Sequence, residues 1–290
     1  MKLSGRNAII TGANRGFGFE VAKKFVEEGA SIIICGRDSD QLKRAVDSLQ
    51  KLSSSQQTII GLPLDVSNEE NVKKLIDTAL NKLGRIDILV NNAGVYGPKG
   101  LIEDVDSGEW ISAININLFS VFFMCKWILP HMKKNNAGKI INLSGGGATA
   151  PLPRISAYAA SKAAVVRLTE TLAEECKEYS IEINAVAPGA LNTRLLEEVL
   201  ESGPEIVGKA FYEKSLKQKS DGGTPLDLGA SLCVYLASSE SDGITGKLIS
   251  APWDPWQNLA HYREDLKNSD IYTLRRIVEK DRGKNWENKK

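Results

Sequence analysis

Residues able to ligate a soft metal are scarce in this chain: two histidines, His131 and His261, and four scattered cysteines, Cys35, Cys125, Cys176 and Cys233. No CxxC pair or Cys/His cluster occurs, so neither a structural zinc site nor a dithiol redox motif is expected. Isolated thiols fit a reducing, cytoplasmic setting. No run of about twenty consecutive apolar residues is present to span a bilayer, so no membrane partner is expected. The first strand begins within a few residues of Met1, which leaves no space for a cleaved leader. Charge of one sign is not in excess either, since 37 basic and 36 acidic residues give +1. Without a basic stripe, nucleic acid is not an expected partner. The basic end, with Arg282, Lys284, Lys289 and Lys290, reads as a frayed terminus, mobile together with Trp286.

What the chain does have is a rhythm. Residues 7–11, 30–35, 58–64, 86–90, 139–143 and 182–187 are short apolar runs of strand length. Helical patterns separate them. One opens at the capping sequence Ser67-Asn68-Glu69-Glu70 and carries Val72, Leu75, Ile76, Ala79 and Leu83 at helical spacing. Another is predicted over 110–132. This alternation implies an α/β fold, a Rossmann-type doubly wound parallel sheet with helices on both faces. Its binding crevice lies at the C-terminal ends of the strands. At 290 residues, a single dinucleotide-binding and catalytic domain over 1–253 is expected, with a C-terminal helical tail over 254–290.

The first strand runs into Gly12-Ala13-Asn14-Arg15-Gly16-Phe17-Gly18 and then into a helix, the context that a dinucleotide site requires. Gly12 permits the tight turn, Gly16 lets backbone approach a pyrophosphate, and Gly18 lets helix pack on strand. The helix N-terminus offers free N–H groups and a positive dipole end to phosphate. At the end of the second strand Gly36 stands where a carboxylate would grip a ribose 2′-hydroxyl. Arg37 beside it and Arg15 in the turn would hold a 2′-phosphate, which favours NADP(H) over NAD(H). Asp38 is the residue that argues the other way. Further on, Tyr158 and Lys162 are four apart in an alanine-rich helical run, hence on one face. A phenol with a pKa of about 10 is a poor acid or base at neutrality. A neighbouring ammonium is expected to bring it toward working pH.

With these pieces the chain resembles a classical short-chain dehydrogenase/reductase over about residues 3–250. The motifs that carry the resemblance are Thr11-Gly12-x-x-x-Gly16-x-Gly18, Asp65-Val66, Asn91-Asn92-Ala93-Gly94, Tyr158-x-x-x-Lys162 and Pro188-Gly189-x-x-x-Thr193. The resemblance implies that Asp65 and Val66 contact the adenine end of the cofactor. It implies that Asn91, Ala93 and Gly94 pass beside it, and that Thr193 with the Pro188–Gly189 turn holds the carboxamide of the nicotinamide. It further implies that Lys162 binds the nicotinamide ribose, that Asn117 anchors a water in a proton relay, and that the protein is a homodimer or homotetramer. From the residues alone, Asn115 or Asn117 could equally be a satisfied polar group in a helix.

One position departs from the family pattern. Where a serine usually precedes the tyrosine by thirteen residues, this chain has Gly145, inside Ser144-Gly145-Gly146-Gly147. Ser144, Thr149 or a backbone N–H are the candidates to polarise the substrate oxygen in its place. Residues 194–224 interrupt the strand–helix rhythm with apolar side chains that read either as a lid or as a helical excursion packed on the body. The tail is expected to form one short helix with Leu259, Tyr262 and Leu266, and a second, capped by Ser269 or Asp270, with Leu274, Ile277 and Val278. It reads as a surface clasp or as a cover for the substrate cleft. The expected activity is NADP(H)-dependent interconversion of a carbonyl and a secondary alcohol on a small molecule, with Tyr158 as general acid/base. The competing reading is an NADP(H)-binding sensor or scaffold with little turnover, which rests on Gly145.

Overall fold

The computed structural model describes residues 1–286, so Lys289 and Lys290 lie outside the described residues. In chain order, β1 (Asn7–Thr11), α1 (Gly16–Glu27), β2 (Ser31–Gly36), α2 (Ser39–Gln50), β3 (Ile59–Pro63), α3 (Glu69–Leu83) and β4 (Ile88–Asn91) make the first half. The second half contains α4 (Ser107–Ile114), α5 (Ser120–Lys134), β5 (Gly138–Leu143), α6 (Ser156–Glu175) and β6 (Ile181–Ala187). After these come α7 (Arg194–Val207), α8 (Lys209–Asp221), α9 (Leu226–Ala237), β7 (Leu248–Ser250) and α10 (Arg263–Lys267). The seven strands form one parallel sheet in the order β3-β2-β1-β4-β5-β6-β7. That is the doubly wound arrangement, whose crevice opens beside β1, where the strand order reverses.

Strand alternation sorts the core into two layers. Ala8, Ile10, Ile32 and Ile34 pack with Phe17, Val21 and Phe25 of α1 and with α9 on one face. Ile9, Ile33 and Leu89 pack with Leu75 of α3 and Met124 and Ile128 of α5 on the other. Fully burying one such side chain contributes about 1.5–3 kcal/mol. The helix expected over 110–132 is a composite of α4, a π turn at Asn115–Phe119 and α5. Taken together, Ser107–Lys134 is long and apolar enough by length and composition to cross a membrane. Counting consecutive apolar residues misses this because Ser112, Asn115, Asn117 and Ser120 interrupt the run. In the fold, Met124, Cys125 and Ile128 of this helix are buried against the sheet layer.

The tail departs from expectation. Its first part is helical, a 3₁₀ segment Trp256–Tyr262 followed by α10. The second expected helix does not form. Instead Asp270–Thr273 makes a turn, in which the Thr273 N–H and hydroxyl both donate to the Asp270 carbonyl. Leu274 then packs against Ala148, Val166 and Ala185. Its backbone N–H donates to Glu170 Oε1 at 2.6 Å, and its carbonyl accepts from Arg167. These bonds to α6 satisfy in extended form the groups that a helix would have satisfied internally. The only regular structure further on among the described residues is the 3₁₀ turn Glu279–Arg282.

Trp256 ties this tail to the main core. It is buried, its indole donates to the Ala251 carbonyl at 3.1 Å, and its ring lies 5.7 Å from that of Tyr235. Trp256→Ala is therefore expected to lower stability by about 3–5 kcal/mol, read as a lower urea midpoint. Trp253→Ala, at a site 84% exposed, should stay within about 0.5 kcal/mol. Equal midpoints for the two variants would show that the tail is not part of the core.

Candidate active site

Every residue expected at the site lines one continuous cavity of ≈ 1420 Å³ at the C-terminal ends of the strands, except Asn91 and Asn117. The cavity floor is set by a staple between β1 and β4. Thr11 Oγ1 accepts the backbone N–H groups of Asn92 and Ala93 at 3.0 and 3.1 Å. The Asn92 amide in return donates to the carbonyls of Thr11 and Gly12. This brings the glycine turn so close that a Cβ on Gly12 would stand 2.9 Å from Ala93 Cα, and the Gly12 φ of +63° is itself left-handed. Asn91, by contrast, ends β4 facing the sheet interior. Its amide donates to Asn142 Oδ1 at 2.8 Å and to Cys125 Sγ, so its neighbour Asn92 is the one beside the cavity.

The glycine turn delivers α1 with its first turn open. No side chain caps the N–H groups there, and no acidic residue occupies the first turn. Such a terminus suits a phosphate. Arg15 and Arg37 both line the same end of the cavity. Asp38 lines it too, but its carboxylate accepts the Gln41 N–H at 2.9 Å and caps α2. Asn14 is held by Gln41 Oε1. Asp65 Oδ1 accepts from the N–H and hydroxyl of Ser67, which orients its loop, and Val66 follows it along the wall. These groups fit a dinucleotide: an open helix N-terminus, cations at the β2 end, and a glycine turn packed too tightly at Gly12 and Gly18 for side chains.

At the other end, α6 carries Tyr158 and Lys162 one turn apart, as expected. Lys162 is 5% exposed and its ammonium donates to the Leu143 carbonyl at 2.7 Å. Burial pulls its pKa down to about 8. The ammonium lies 5.6 Å from the centre of the Tyr158 ring and makes no hydrogen bond to its hydroxyl. Burial accordingly outweighs it, and the Tyr158 phenol is pushed up, with Tyr96 adding to the rise. The expectation that the adjacent amine lowers this phenol does not hold in the protein alone, because desolvation is the larger effect. Asn117 sits in the π turn with no exposure. Its amide bridges both backbone groups of Val95 and the hydroxyl of Ser161, while Ile116 lines the cavity.

The position that lacks a serine is filled from across the site. A Cβ on Gly145 would stand 2.5 Å from the Tyr158 hydroxyl. Ser144 lines the cavity, yet its hydroxyl donates to the Lys162 carbonyl at 3.4 Å. Sequence reasoning missed Tyr96, which follows the Asn91–Gly94 turn. Its ring meets Tyr158 edge to face, with centroids 4.7 Å apart at 74°. Leu195, Leu196, Val199 and Phe211 of the 194–224 segment form an apolar wall over this end. An Arg194–Glu198 ion pair of 3.0 Å lies among them. The tail supplies another wall with Trp253, Asp254, Tyr272 and Thr273.

Comparison with known proteins agrees with this geometry. A family model described as short chain dehydrogenase matches residues 6–203. The 7alpha-hydroxysteroid dehydrogenase of Escherichia coli is 33% identical over 250 residues, covering 86% of this chain and 94% of that one. An NADP-dependent (R)-specific alcohol dehydrogenase of Lentilactobacillus kefiri is 36% identical, covering 84% and 94%. Among solved structures, levodione reductase matches with a TM-score of 0.79 at 27% identity, over 89% of this chain and 99% of its own. A 7 alpha-hydroxysteroid dehydrogenase complexed with NADH and 7-oxo glycochenodeoxycholic acid matches at 0.76 and 32%, over 86% and 93%. The cleft at the strand ends, the open glycine turn and these matches together place the chain in the short-chain dehydrogenase/reductase family, as an oxidoreductase of hydroxyl and carbonyl groups.

Proposed function

We propose that the protein is an NADP(H)-preferring oxidoreductase that interconverts a carbonyl and a secondary alcohol, with Tyr158 as general acid/base. The observation that carries this reading is one cavity with the Tyr158–Lys162 pair at one end and Arg15 with Arg37 at the other. A nicotinamide cofactor, when bound, supplies the hydride for the carbonyl carbon. The open N-terminus of α1 and the two arginines hold its phosphates. Asp38, committed as a helix cap, leaves the ribose end to Arg37. Asp65 and Val66 take the adenine end, and Ala93, Gly94, Pro188, Gly189 and Thr193 the nicotinamide end. A homodimer or homotetramer through α4, α5 and α6 belongs to the same proposal.

In reduction Tyr158 donates its proton to the carbonyl oxygen as the alkoxide develops. Its raised pKa keeps it protonated through neutrality, the correct form for an acid. Lys162 stabilises the phenolate that results and orients the nicotinamide ribose. Asn117 contributes to the relay through its main-chain carbonyl, because its amide is engaged with Val95 and Ser161. The apolar wall of α7 and α8 excludes water, which strengthens each of these electrostatic contacts. Substrates with an apolar body suit that wall.

Tyr158→Phe should lower turnover of a ketone panel about 10²- to 10⁴-fold while leaving NADPH binding, measured by fluorescence, within a factor of about three. Equal turnover in both forms would refute the role of Tyr158. Bound NADPH without turnover in either form would favour the sensor reading.

Arg37→Ala should weaken NADPH by roughly 10- to 100-fold, the worth of a charge-assisted hydrogen bond, and leave NADH nearly unchanged. Equal weakening of both cofactors would count against the NADP(H) preference.

The rate of reduction should be flat at neutral pH and fall above about pH 8 as Lys162 loses its proton. Lys162→Arg, which keeps its charge, should move that limb to higher pH. A limb that stays in place would show that another group titrates there.

A further inference from the structure

A reduced carbonyl develops negative charge on oxygen, and the missing serine at Gly145 removes one donor for that charge. Two polar side chains near the oxygen position are engaged elsewhere. Ser144 is 4% exposed, with its hydroxyl directed to the Lys162 carbonyl. Asn117 is bonded to Val95 and Ser161. Thr149 is exposed, at the rim, four residues along from Gly145. The space of a serine side chain is itself taken by the Tyr158 hydroxyl, 2.5 Å from where a Cβ would be.

Tyr96 offers a second phenol beside Tyr158. It lines the cavity and its ring is packed edge to face on that of Tyr158 at 4.7 Å. Among the described residues its hydroxyl makes no hydrogen bond to a protein group, as is true of the Tyr158 hydroxyl beside it, whereas Ser144, Asn117 and Lys162 are engaged. Burial and the Glu198 carboxylate both push its pKa up, so it stays protonated and able to donate. Glu198 of α7 lines the same cavity and is paired with Arg194 at 3.0 Å and Lys99 at 3.9 Å.

We propose that Tyr96 is a catalytic residue of this chain, whose phenol gives the substrate oxygen the hydrogen bond that Gly145 cannot. The inference rests on the acid/base reading of Tyr158. During reduction the O–H bond of Tyr158 breaks and its proton goes to the substrate oxygen. Tyr96 keeps its own proton and only donates a hydrogen bond, stronger to the alkoxide than to the ketone. The device also accounts for the closeness of the two rings, since both hydroxyls must reach one atom.

The test compares Tyr96→Phe, Tyr96→Leu and Tyr158→Phe in the full chain, with NADPH and the fastest ketone of an aliphatic, aryl and cyclic panel. Phe keeps the ring packing and removes only the hydroxyl. Tyr96→Phe should lower kcat about 10²-fold, as removal of one oxyanion donor does. Ketone KM, NADPH affinity and the pH limb should stay put. A loss below tenfold in Tyr96→Phe overturns the inference, most plainly if only Tyr96→Leu is impaired, which is the pattern of a packing residue. Should Tyr158→Phe be inactive while Tyr96→Phe is fully active, the acid/base reading stands and this inference alone falls. Full activity in Tyr158→Phe, or no turnover across the panel, removes both.

Discussion

A buried ammonium held on one carbonyl, Lys162 on Leu143, is the contact around which this site is built. Taking a cation out of water costs several kcal/mol even after relaxation, and the fall of its pKa to about 8 expresses that cost. The Leu143 carbonyl offsets part of it, and neighbouring residues of α6 are bonded in place around it. Ser161 accepts from the Asn117 amide and donates to the Tyr158 carbonyl. The Lys162 carbonyl accepts from Ser144. Two loops, one after β4 and one after β5, are therefore fixed to the same turn of helix. Tyr158 inherits its position from that turn.

The same constraint explains the electrostatics. Helical spacing places amine and phenol on one face, but it says nothing about how deeply the face is buried. In the protein both charged forms are disfavoured, the phenolate of Tyr158 and the ammonium of Lys162 alike. Burial thus moves the two pKa values apart, the phenol up and the amine down.

Much of this was legible in the sequence because it is local. Strand-length apolar runs and the glycine turn each specify their own backbone and appear where the spacing put them, and α3 starts at the expected segment, although its cap is Asn68 accepting from the Asn71 N–H and no capping box forms. What was not legible depends on partners far along the chain. The Asn91-Asn92 pair reads as one motif, yet strand alternation sends Asn91 to Asn142 and Asn92 to the glycine turn. Residues 110–132 read as a helix, but nothing in their periodicity announces the π turn that presents Asn117 to Val95. Ser269 and Asp270 carry good capping chemistry, and Leu274, Ile277 and Val278 have helical spacing. Bonds from Arg167 and Glu170 to Leu274 nevertheless hold that segment extended. Tyr96 lies in the 95–106 loop, which reads as a wall of the cleft, but nothing singles it out until its ring is found against Tyr158.

The tail shows how a wall can be made rigid from a segment with little structure of its own. Tyr272 has a left-handed φ of 61°, a conformation that costs a bulky residue of order 1–3 kcal/mol. It persists because the chain is pinned on both sides. Upstream, Lys247 donates to the Ser269 carbonyl and Leu248 N–H to the Tyr272 carbonyl, which extends the hydrogen bonding of the β7 edge. Downstream, Leu274 is gripped by α6, the helix that carries Tyr158. The strand order puts β7 two strands beyond β5, on the order of 10 Å, and opposite the β2 end where Arg37 stands. Asp254 and Tyr272 thus line the β7 side of the cavity, away from the glycine turn after β1. Trp253, Asp254 and Tyr272 form a wall of the cavity whose position is set by β7 and α6 rather than by the glycine turn.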